Sequence, residues 1–218
     1  HNVLKGAKEM RCELNELLND FEENPNSDSS IEFVHANLDG SEDDIELYLR
    51  AMFVLLDRIV EGSFPEEMRM VWEGELRQMF DESCSHYSNS ALFLGFAGAM
   101  ITRGESHFDR SFEDGIKMIK RAADLEPDNS FFRSLYWVFA DQRTNVNFDE
   151  KFRALKTFFT QSSNQEDLEN RGILGRYFLG IFENVYDGLL LRLSKRECED
   201  AEKRPSDIAI LRRDDDVE

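Results

Sequence analysis

The chain has 218 residues, 41% of them hydrophobic and 33% charged, with four prolines and a formal net charge of −19. That balance favours a folded, helix-rich chain over a disordered one, and a field of that sign opposes nucleic acid and anionic membrane as partners. No apolar run approaches the roughly 20 residues that a membrane-spanning helix needs.

The charge is unevenly spread. Residues 1–90 hold 21 Asp/Glu against 7 Lys/Arg, a net of −14, whereas residues 91–218 hold 24 against 19, a net of −5. Solubility asks for no such gathering, and a one-sided acidic field speeds the arrival of basic proteins. The expected partner is therefore a basic protein. Cys12, Cys84 and Cys198 are odd in number and far apart, a pattern that suits a reducing cytoplasm better than a disulfide framework. The chain opens His1-Asn2 with no visible secretory leader, and the expected location is cytoplasmic.

In chain order, Leu4, Ala7, the stem of Arg11, Leu14, Leu18 and Phe21 step by three or four and predict an amphipathic helix over 3–23. Turn formers follow at 24–30. Residues 31–38 read equally as a short strand or a helical turn. Ser41-x-x-Asp44 resembles a capping box opening a helix to about residue 60, with Ile45, Leu49, Met52, Leu56 and Ile59 as its apolar stripe. Gly62 closes it, and Ser63 and Pro65 start the next, with Met68, Val71, Trp72, Leu76, Met79 and Phe80 expected to face inward. Further helices are expected over 89–102, 111–124 (capped by Ser111-x-x-Asp114), 131–140, 148–159 and 167–193, about eight in all. Residues 194–218 change to a dense mixture of charges, interrupted by the apolar run 208–211, a second candidate strand. The expectation is one all-α domain over 1–193 with a charged tail over 194–218.

Residues 91–127 carry a recognisable pattern. Leu94-Gly95 lies in one helix, Gly115, Ile119 and Ala122-Ala123 lie in the next, and Leu125-x-Pro127 ends it. This resembles an antiparallel helical hairpin of the tetratricopeptide superfamily, in the Sel-one-like branch with a longer inter-helix loop. Small residues at Gly95, Gly98 and Ala122 would let two helices approach closely. No second copy of the signature is evident, so the fold reads either as a tetratricopeptide-like superhelix or as an irregular bundle holding one such hairpin.

Residues for chemistry are sparse. Of His1, His35, His86 and His107, only His86 has a cysteine close by, Cys84, and the second half of a zinc site is missing. No phosphate-cradling glycine loop, nucleophile elbow or Glu-x-x-His pair occurs. The acidic run at 39–44 lacks the alternating ligands of a calcium loop. The expectation is no catalysis, no cofactor and no metal.

The hairpin, the length and the acidity together resemble a bacterial immunity protein, the inhibitor of a cognate polymorphic toxin. That resemblance implies occlusion of a basic toxin domain, commonly a nuclease, by carboxylates placed where phosphates would lie. The competing reading is a tetratricopeptide-like adaptor that binds a peptide without catalysis. The binding face is expected among Asp39, Glu42, Asp43, Asp44, Glu46, Glu66, Glu67 and Glu73, with Phe64, Trp72, Tyr87 or Phe108 as an aromatic anchor. Reversing Asp43 and Asp44 together is expected to abolish binding and spare the fold; reversal at 214–216 should do little.

Overall fold

A computed structural model describes residues 2–23, 31–38, 40–140 and 147–203. Within them the chain forms eleven α-helices and one 3-10 turn, and no strand. The all-α class is as expected, but the helix number exceeds the expected eight or so, because short helices appear where loops or continuous helix were read. Residues 31–36, read as strand or turn, are helix α2 (Ile31–Ala36), anchored by buried Ile31 and Val34. A single turn, α6 (Glu105–Phe108), occupies the expected inter-helix loop and ends at Asp109, whose φ of 56° is left-handed. The long C-terminal segment is broken into α10 (Ser162–Glu169) and α11 (Gly172–Lys203). Gly172, at φ +63°, takes the left-handed turn between them, which a side chain would strain. Residues 194–203 thus continue α11, while 208–211 lie outside the described residues.

The interior is built around two helices. α3 (Ile45–Glu61) is buried along most of its length. α5 (Ala91–Arg103) is hydrophobic on every face and buried at ten of its thirteen residues, as a helix enclosed by others must be. α4 (Glu66–Tyr87) returns antiparallel along α3: Arg58 lies over Trp72 at one end, and Tyr48 meets Tyr87 at the other. α1 (Asn2–Glu23) and α2 cover α3 from a further side.

α7 (Phe112–Leu125) runs antiparallel to α5, opened by the expected capping box. Ser111 Oγ accepts from the Asp114 amide and Asp114 accepts from the Ser111 amide, both at 3.2 Å. The Ser111 hydroxyl, which donates to the Asp114 carboxylate at 2.8 Å, with the Lys117 ammonium at 3.0 Å and the Ser111 amide, holds the Asp114 carboxyl down at about 2. α8 (Ser130–Ala140) and α9 (Phe148–Thr160) form a second pair, and α11 returns across α3, α8 and α9. Phenylalanines lock these layers. Phe96 meets Phe131 at 5.0 Å and Phe178 at 5.3 Å, and Phe182 meets Phe131 at 5.8 Å and Phe158 at 5.1 Å. Tilted and edge-on pairs of this kind each add about 0.5–1.5 kcal/mol beyond area burial.

The small residues of the hairpin divide their labour differently from the sequence expectation. A Cβ on Gly98 would lie 2.7 Å from the Gly115 carbonyl oxygen, so this pair brings α5 onto α7. A Cβ on Gly95 would instead meet the Phe132 ring at 2.8 Å. Gly95 makes room for α8, not α7.

Candidate functional site

Seven of the eight acidic candidates lie among the described residues, in two groups at opposite ends of α3, a span of about 25 Å for 17 residues. Asp39 lies outside the described residues. Glu42 sits in the 3-10 turn Glu42–Asp44, beside Asp43 and Asp44. Glu46 follows in the first turn of α3. Glu66 and Glu67 open α4 at the far end, and Glu73 lies two turns along it.

Several of these carboxylates hold the fold together. Asp44 is only 3% exposed and accepts from Arg11 Nε at 3.0 Å. Arg11 also donates to Asp43 at 2.9 Å and to Ser41 Oγ at 2.9 Å, tying α1 to the start of α3. Arg11 is thus an ion-pair donor as well as a stem on an apolar stripe. The capping box expected at Ser41 does not form: Asp44 is the N-cap residue of α3 and makes no side-chain capping bond, because Arg11 has taken its carboxylate. Glu46 is paired with Arg171 from across the chain. Glu73 accepts from His107 Nδ1 at 2.9 Å and lies 3.5 Å from Arg77.

The variant Asp43/Asp44 reversal therefore tests folding and not recognition alone. Asp44→Asn should lower stability by about 1–2 kcal/mol, less than a fully buried pair because Arg11 is partly exposed. A urea midpoint equal to wild type would place the Asp44–Arg11 pair outside the folding energetics.

Glu66 and Glu67 stand differently. They lie exposed on the first turn of α4, where a carboxylate also suits the helix dipole. The first buried residue of α4 is Leu76, so ten residues project with one side open. Glu67, Met70, Val71 and Gly74 follow at i, i+3, i+4 and i+7 and share that open face. Met70 is 66% exposed and Val71 58%, and nothing lies within 4 Å of where a Gly74 Cβ would stand. Val71 was expected to face inward. Taking Leu76, Met79 and Phe80 as the buried arc, the helical period turns Val71 roughly 140° from Leu76, so the sequence held the signal. Scattered exposed apolar residues are ordinary; two adjoining ones beside an open glycine and two free-standing carboxylates make a surface.

Among the aromatic candidates, Phe64 and Trp72 pack edge-on at 4.8 Å at the base of this projecting turn. Tyr87 and Phe108 are core residues instead. The Tyr87 hydroxyl donates to the Ser41 carbonyl at 2.7 Å, and Phe108 packs on Phe80 at 5.2 Å.

The chemistry available elsewhere is limited. Glu73 orients the His107 ring, an arrangement suited to a general base, but no hydroxyl or thiol is hydrogen-bonded to that ring among the described residues. Burial pushes the Cys84 thiol up to about 11, which leaves it protonated and a poor nucleophile at neutral pH. Among the described residues no group of three His, Cys, Asp or Glu side chains is placed to hold a metal ion, and no helix is long and apolar enough to cross a membrane.

The chain matches no protein-family model, no curated protein and no solved structure.

Proposed function

We propose that the protein is a non-catalytic inhibitor that binds a basic protein partner, and that it acts as an immunity protein occluding a cognate basic toxin domain, a nuclease in the form the resemblance implies. The observation that carries this reading is the projecting half of α4, where Glu66 and Glu67 flank exposed Met70 and Val71 on a chain of net charge −19. Apolar residues with an acidic rim supply the two parts of a protein interface, a desolvated centre and a steering border. An area of roughly 1,600 Å² across such a corner would suffice for a stable complex.

The adaptor reading asks for an accessible concave side on the recognised hairpin, whose first helix, α5, is buried at ten of its thirteen residues. The inhibitor reading is the one we favour.

The test is growth of cells that express the toxin encoded beside this gene, with wild-type protein and with Glu66→Lys/Glu67→Lys. Wild type should protect. The double reversal should slow association by at least about tenfold at low salt, with dissociation little changed, and the loss should shrink toward 0.15 M salt, where screening acts over about 8 Å. A neighbouring gene whose product neither harms cells nor binds this protein ends the immunity reading. Association that ignores salt and the two substitutions removes the α4 surface from it.

A further inference from the structure

His35 is held in an unusual way for a histidine in a protein with so few candidates for chemistry. It lies on α2, a helix of six residues that is far too short to persist without tertiary support. Its ring reaches α4 with both nitrogens engaged: Nδ1 lies 2.5 Å from Glu75 Oε1, and Nε2 lies 2.7 Å from Glu82 Oε2. Glu82 is itself fixed by Gln78 Nε2, which donates to its other oxygen at 2.9 Å. On the α3 side the Tyr48 ring stands edge-on to the imidazole, 6.2 Å between centroids.

A neutral imidazole carries one N–H, so it can donate to only one of two carboxylates; the other would face a nitrogen lone pair. Only the imidazolium donates from both nitrogens at once, and the two hydrogen bonds are then charge-assisted. We propose that His35 is a proton-operated latch: in its charged form it clamps α2 onto α4 through Glu75 and Glu82, and on losing the proton it releases one carboxylate and lets α2 open.

The groups that act on the ring are few. Glu75 and Glu82 reach it from α4, with His86 acting on Glu82, and Tyr48 faces it from α3; α1, which also packs on α2, brings no charged group to the ring among the described side chains. Burial works against the charged ring, but the hydrogen bonds and charges of Glu82 and Glu75 outweigh it and raise the His35 pKa above its ordinary 6.5. The latch is therefore fully closed below pH 6.5 and weakens as pH rises through the raised value in the folded protein. At the acid end, burial of Glu82 is outweighed by its bonds from Gln78 and His35, and its pKa falls below the ordinary 4.5. That part of the latch is lost only as pH drops through the lowered value. The clamp is strongest between those limits, and it opens on the alkaline side, across the range in which a histidine serves as a physiological switch.

Two readouts test this on the full chain. The first needs no substitution: the His35 ring resonances are followed by NMR from pH 5 to 9, with amide exchange of α2 measured over the same range and corrected for intrinsic exchange. His35 should titrate above 6.5, and protection at Val34, His35 and Ala36 should fall by up to tenfold per pH unit across that titration, while α5 amides hold steady. The second uses Glu75→Gln and Glu82→Gln, each of which keeps a hydrogen-bonding oxygen and removes a charge. Each should lower the His35 midpoint and flatten the pH dependence at α2. His35 titrating at or below 6.5, or α2 protection that is constant with pH, overturns the latch.

Discussion

Glu22→Ala should destabilise the protein by about 3–5 kcal/mol. Glu22 and Arg50 form an ion pair with side chains only 6% and 7% exposed. Arg50 Nε and Nη2 both donate to Glu22 Oε1, at 3.0 and 2.8 Å, and two further guanidinium protons go to Asn15 and Asn19. Asn15, Asn19 and Glu22 share one face of α1 by their spacing of four and three. The other oxygen of Glu22 accepts the Ile173 amide at 3.0 Å, at the start of α11. One carboxylate thus joins α1, α3 and α11. Removing it strands a buried guanidinium on two neutral amides and orphans a backbone donor. The midpoint of thermal unfolding should fall by roughly 6–20 °C for a chain of this size, and the Ile173 amide should lose its exchange protection first. Replacing both partners, Glu22→Leu with Arg50→Met, should recover most of the loss, because the uncompensated charge is then gone. Arg153→Ala, which opens an exposed pair with Glu150, should stay within about 0.5 kcal/mol. If Glu22→Ala behaves like that surface change, water reaches the pair and its role in joining the three helices falls.

The sequence carried the helices whose start, stripe and stop are written locally. The Ser111 to Asp114 capping box and the helices expected over 89–102 and 131–140 all appear where their residue types place them, within about two residues. It misled where a tertiary partner competes with a local one. Asp44 has the right spacing for a capping box, yet Arg11, 33 residues away, binds it instead. Glu46 finds Arg171 across 125 residues, a pairing that no local pattern announces. The same limit applies to the acidic candidates. Charge counting sees Asp44, Glu73 and Glu66 as equivalent, but only packing decides which of them is consumed in an ion pair and which is left standing. The break between α10 and α11 was legible in retrospect: Asn170-Arg-Gly172 supplies the left-handed residue that a helix-to-helix turn requires. His35 was not. A histidine in the hexapeptide Ile31–Ala36 says nothing of two carboxylates 40 and 47 positions further on.

Gly98→Leu should cost about 3 kcal/mol, at the upper end of the usual overpacking range, because both sides of the contact are backbone. A Cβ at Gly98 meets the Gly115 carbonyl at 2.7 Å and Met118 Cβ at 2.9 Å; one at Gly115 meets the Gly98 carbonyl at 2.6 Å. Neither obstacle is the far end of a flexible side chain, so α5 and α7 must move apart, and α5 is one of the two helices around which the interior is built. The smaller change is diagnostic of cause. Alanine is favoured over glycine within a helix by about 1 kcal/mol, so Gly74→Ala, with open space at its Cβ, should stabilise the protein by roughly that amount. Gly98→Ala receives the same propensity gain and should still lose stability, since the methyl group has nowhere to go. Opposite signs for one substitution at two helical glycines, read from urea unfolding, would show the contact itself at work. Equal gains at both sites would mean that α5 and α7 are not in backbone contact, and the hairpin around which the bundle is built would have to be redrawn.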